Sequence, residues 1–175
     1  MIEAIPLETI VYDPRARNGI WCCNPYPGHP KGCPNFPKGC TVKTRPDFNE
    51  IKDQYDWYAI IEIFNLADHI QLMRSKHPHW TDRQCRNPLY WQGTVREKLR
   101  AKAEYAAGQR NQYRHYLNNE NIILDIPEAC GINVFETMAK VGVIIEREPR
   151  IVRKIMLVGK RRGADYNREM HTGGK

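Results

Sequence analysis

Between Cys23 and Cys40 the chain reads CNPYPGHPKGCPNFPKGC, and no regular element can be built from such a stretch. Each proline removes a backbone donor and fixes φ, while each glycine opens φ > 0, so the chain must run through successive tight turns. The stretch has no apolar run to bury. Its order must come from something other than a hydrophobic core, and cysteine side chains converging on a metal supply it. The expectation is a cysteine-ligated metal site in a loop spanning 21–46, with an iron–sulfur cluster of the 4Fe–4S type ahead of zinc.

The sequence of 175 residues suits one domain over 1–160 followed by a basic polar tail at 161–175. A hydrophobic content of 41% with 27% charged residues fits a globular chain. No apolar run approaches the roughly 18 residues of a membrane helix, so no membrane partner is expected. The start, MIEAIPLETIVYDPRARNG, lacks a basic head, an apolar stretch and a small-residue cleavage site. A cytoplasmic location follows as an expectation, and there six cysteines read as ligands or buried thiols rather than disulfides.

Residues 1–20 read as an extended lead-in, with Asp13-Pro14 starting a turn. DWYAIIEIF, residues 56–64, has the β-branched and aromatic enrichment of a buried strand. Asn65 can cap a helix whose apolar positions are Leu66, Ile70, Met73 and His77. Thr81 and Gln84 form a capping-box pattern. A break is expected near residue 87, followed by a helix through Trp91, Val95, Leu99, Ala103 and Ala106.

IILDI, residues 122–126, reads as a strand. The helix after it would bury Ile132, Phe135, Met138 and Ala139 and end at a left-handed Gly142, with Val143 packing back. Val143–Ile145 and Val152–Val158 read as two further strands. The order implies an α/β or α+β fold: a sheet of about four strands with helices on one face.

Among the cysteines, Cys23, Cys33 and Cys40 lie close together and Cys130 lies far away, between a strand end and a helix start. Unpaired N–H groups and the helix dipole there favour a thiolate. If the proline-rich loop folds over that edge, Cys23, Cys33, Cys40 and Cys130 converge as soft donors for iron–sulfur or zinc. Cys22 is an alternative ligand, and His29 offers a Cys₃His zinc site. No Cys-x-x-Cys pair is present. Cys85 reads as a structural buried thiol, and His77 and His79 as capping groups or packing for Trp80. Asp125 and Glu128 are near enough to Cys130 to support it.

Two blocks add a resemblance. GCPNFPKGC resembles the cysteine–proline–aromatic–lysine–cysteine loop of an uncharacterised family of predicted metal-binding proteins. IPEACGINVFETMAKVGV resembles that family's later block, in which an acidic residue and a cysteine precede a Gly-Ile-Asp/Asn-Val-Phe helix. The resemblance implies a small cytoplasmic protein holding an iron–sulfur centre, and it maps onto Cys33, Cys40, Cys130 and, less closely, Cys23. Many members carry a further Cys-x-x-Cys pair in mid-chain, where this sequence has only Cys85.

A net charge of +7 and a pI near 9.2 also raise a polyanionic partner beside a redox partner. Nucleic acid would be met by Arg96, Arg100, Lys160, Arg161 and Arg162, with Trp80, Tyr90, Trp91, Tyr113 and Tyr116 as stacking platforms. The sequence carries no P-loop, no Gly-x-Gly-x-x-Gly, no Gly-x-Ser-x-Gly and no His-Glu-x-x-His pattern.

Overall fold

A computed structural model describes residues 3–17, 45–108, 121–146 and 149–163. Its centre is an antiparallel pair of long strands, β2 (Tyr55–Asn65) and β4 (Ile151–Arg161), in register from Tyr55 opposite Arg161 to Asn65 opposite Ile151. Two short strands flank them: β1 (Ala4–Leu7) beside β2, and β3 (Asn121–Leu124) beside β4. The sheet order is β1-β2-β4-β3, antiparallel throughout. With helices α1 (Pro14–Arg17), α2 (Phe48–Ile51), α3 (Leu66–Lys76), α4 (Asp82–Cys85), α5 (Gln92–Ala106) and α6 (Val134–Lys140), the class is α+β.

Alternation along the central strands sorts their side chains between two cores. Ile60, Met156 and Val158 face α5, whose Leu99 and Ala103 recur one turn apart and are buried against them. Burying a leucine of this kind stabilises by about 1.5–3 kcal/mol. On the other face Trp57, Ala59 and Leu157 meet Phe48 of α2, Cys130, and Val134 and Met138 of α6. Helical elements thus cover both faces rather than the one expected. Trp57 lies directly over Gly159, where an added Cβ would come 2.9 Å from the indole and 2.8 Å from Ile122. β1 reaches only to Ile60 on β2. Just beyond, Lys102 stands 2.6 Å from Glu62 and 3.5 Å from the Ile61 carbonyl, a cation guarding an otherwise open edge.

The helix boundaries follow local chemistry. Asn65 caps α3 by accepting from the Asp68 N–H, and the Arg150 carbonyl accepts from Leu66 and Ala67. Thr81 and Gln84 form the full capping box at α4. The break comes where proline sets it: α4 stops at Cys85, and a 3₁₀ turn over Pro88–Tyr90 restarts the chain into α5. Gly142 takes φ +76 and Val143 donates to the Met138 carbonyl, closing α6 in the left-handed motif.

Three expectations are corrected. Val143–Ile145 is not a strand: Val143 and Ile145 pack on the core and Ile144 is 74% exposed, but the segment pairs with no strand among the described residues. The fourth strand is instead Ala4–Leu7, whose Pro6 is tolerated because β1 is an edge. In α6 the buried face is Val134, Thr137 and Met138, whereas Phe135 is 39% exposed and Ala139 is exposed. β4 is also longer at both ends than the Val152–Val158 strand expected, running from Ile151 to Arg161.

Candidate functional site

Cys130 closes a 3₁₀ turn, Pro127–Cys130, that continues from the end of β3. It is fully buried within the core on the Trp57 face. Gly131 follows at φ +89, a left-handed conformation that turns the chain sharply towards α6. The helix itself begins only at Val134, and its first free N–H groups are met by the Asn133 side chain, which accepts from Glu136 at 3.1 Å. Cys130 therefore stands at the end of a 3₁₀ turn, not at a helix start. In an all-antiparallel sheet the ligand-crevice rule of open parallel sheets does not apply either.

The segment that enters the cysteine-rich stretch is fastened to this turn. The Val11 N–H donates to Thr137 Oγ1 at 3.0 Å, and its carbonyl accepts from Asn133 at 2.8 Å. Tyr12 forms an antiparallel bridge with Ile132, and the Asp13 N–H donates to the Gly131 carbonyl at 2.7 Å. α1 then packs on the Pro127–Cys130 turn. Asp13 is buried, and the Arg15 guanidinium bonded to it (2.9 and 2.7 Å) holds its carboxyl below the usual range.

The segment that leaves the stretch is fastened to the same place. Arg45 Nη2 donates to Asp125 Oδ2 at 2.9 Å, and Nη1 stands 2.9 Å from Oδ1 as an ion pair. The Tyr12 hydroxyl donates to Asp47 at 3.1 Å and so ties the two flanks together. Asp47 caps α2, and Phe48 is buried against Trp57 with ring centres 5.2 Å apart.

Charged groups surround the turn. Arg100 approaches Asp125 at 3.6 Å, so one of the expected nucleic-acid contacts is engaged with a carboxylate. Burial pushes the Glu128 carboxyl up, against the pull of its own backbone hydrogen bond and of Lys154. Lys154 is lowered to about 8, chiefly by burial and then by Arg96, with Glu128 opposing.

Of the expected ligands, only Cys130 falls within the described residues; Cys22, Cys23, Cys33, Cys40 and His29 lie outside them. Among the described residues, no three His, Cys, Asp or Glu groups are placed to hold a metal. Cys85 is fully buried at the end of α4 and forms no disulfide.

The expected basic residues fall into two sets, one on α5 and one at the end of β4. Arg96 and Arg100 lie on α5, with Arg96 beside Lys154. About 20 Å further along the strand, Lys160 sits 5.0 Å over the Tyr58 ring, Arg161 is exposed, and Arg162 pairs with Asp56 at 2.8 Å. Sequence reasoning missed the Val11–Asp13 and Arg45–Asp47 fastenings. Asp13-Pro14, read as a turn, fixes a corner but not what it touches. The apolar Phe48 and Ile51 in TVKTRPDFNEIKDQYD do mark where the polar stretch after Cys40 is pinned down, and both pack in the core. Comparison of the chain with protein-family models, with curated proteins and with solved structures finds no match.

Proposed function

We propose that this chain is a cysteine-ligated metal-binding protein whose site takes a 4Fe–4S cluster through Cys23, Cys33, Cys40 and Cys130. One observation carries the proposal: the entering flank of the cysteine-rich stretch is hydrogen-bonded to Gly131 and to α6, and the leaving flank to Asp125, so both are fastened around the turn that holds Cys130. Cys23 is six residues beyond Arg17 and Cys40 five before Arg45. At about 3.3–3.6 Å per extended residue, each is within roughly 20 Å of its anchored flank. Cys130 is a soft donor, and to ligate as a thiolate in this apolar core it would draw on the metal's own charge for compensation. Four thiolates would suit electron transfer with a redox partner; three would leave an iron open to substrate. The chain's own contribution is to hold Cys130 rigid through Gly131 and to clamp the stretch at both ends.

Protein purified without air, assayed for iron, sulfide and zinc and by visible absorption, tests this directly. The expected result is bound iron with a thiolate-to-iron band, lost in Cys33→Ser and Cys130→Ser and retained in Cys85→Ser, which alters an equally buried thiol. Stoichiometric zinc instead of iron would give a structural zinc module, with His29 or Cys22 available as ligands. Unchanged metal in Cys130→Ser would refute the site.

A further inference from the structure

The corner from the end of α3 to the start of α5 carries a feature that the metal site does not use. His77 stacks on Trp80 with ring centres 4.0 Å apart and planes 11° from parallel, and Trp80 meets Tyr90 at 5.1 Å. The Trp80 N–H donating to the His77 carbonyl (3.0 Å) fixes the turn that brings the first two rings together. Cys85, fully buried, roots α4, and Trp91 is buried with Leu66 and Val95, its indole N–H on the Arg86 carbonyl at 3.3 Å. Yet the rings themselves reach the surface: Tyr90 is 52% exposed, His77 is exposed and Trp80 half-buried.

Charge adds a second, independent observation. From Arg74 to Trp91 the sequence holds four cations and one acid, Asp82. Arg74 engages that acid. Lys76, Arg83 and Arg86 are exposed, and among the described residues none has an acidic partner within ion-pair distance.

We infer that this corner is a binding platform for single-stranded nucleic acid. Rings arranged in series accept unstacked bases, and the three unengaged cations flank them where phosphates would run. A duplex keeps its bases stacked and offers nothing to the rings. An acidic protein segment would use the cations and leave the aromatic series without a role. The platform is independent of whether the cysteines hold metal.

The full chain should be titrated into fluorescein-labelled oligouridine and oligodeoxythymidine of about 12 nucleotides, a duplex of equal length, and vesicles containing phosphatidylglycerol. Binding to a single strand, weakening as salt rises, is expected. Trp80→Ala and Tyr90→Ala should each weaken it at least about fivefold. The double variant Arg83→Gln/Arg86→Gln should lower the slope of log affinity against log salt by about 1.4. Tyr90, Arg83 and Arg86 are exposed, so these variants remain informative even if Trp80→Ala disturbs folding. The inference is overturned by equal affinity for duplex, by binding to vesicles alone, or by no binding near 100 μM in low salt. It also fails if Tyr90→Ala and Arg83→Gln/Arg86→Gln leave affinity unchanged.

Discussion

Lys154 carries its ammonium into a half-buried position between Arg96 on α5 and Glu128 on the turn before Cys130. Its folded value, about 8, lies below the ordinary 10.5 because burial and Arg96 outweigh the attraction of Glu128. The unfolded chain therefore holds more protons than the folded one between pH 8 and 10.5, and this group makes stability rise with pH across that window. Below pH 8 the cost of the buried charge is fully present. Lys154→Met should thus be more stable than the parent at pH 7, by about 1 kcal/mol once solvent screening is allowed for. The advantage should shrink from pH 8 upward. Urea midpoints measured from pH 7 to 10 check this, and a pH-independent difference would rule it out.

The Pro127–Gly131 turn is the element around which the flanks Val11–Asp13 and Arg45–Phe48 are gathered, and its glycine is the sharpest probe. Gly131 combines φ +89 with a Tyr12 ring that occupies the space of an added Cβ. Gly142 has nearly the same backbone strain, at φ +76, with nothing within 4 Å. Gly131→Ala should cost at least about 2 kcal/mol and Gly142→Ala about 1 kcal/mol by denaturant unfolding. Equal losses would mean that the Tyr12 contact contributes nothing. Elements with local causes were legible in the sequence: the Asn65 cap, the Thr81–Gln84 box, the break before Pro88 and the left-handed Gly142 each act within a few residues. Val143–Ile145, three β-branched apolar residues, carries the local signal of a strand. That signal could not say that no strand among the described residues lies beside it, because pairing is decided by distant residues. β1 was hidden for the opposite reason, being four residues long with a proline that only an edge position allows. At the site, Cys130 was legible as a candidate, but Thr137, Asp47 and Asp125 were not legible as clasps, since their partners lie 35 to 126 residues away.

At the level of the whole molecule, the described residues of the cores come from both sides of the cysteine-rich stretch. Replacing residues 18–44 with a flexible Gly/Ser linker of about ten residues should preserve the far-ultraviolet spectrum and cooperative unfolding, because loop closure depends only weakly on length. Bound iron should disappear in the same protein. Loss of the sheet on replacement would show instead that the stretch is needed to hold the fold. The central ladder has a further consequence. β2 pairs along its whole length with β4, so Tyr55 waits for Arg161. During synthesis, Cys23, Cys33 and Cys40 leave the ribosome well before the strand that completes the sheet behind Cys130. Any metal captured at that stage binds a nascent chain, and the sheet must then close around a ligand already in place.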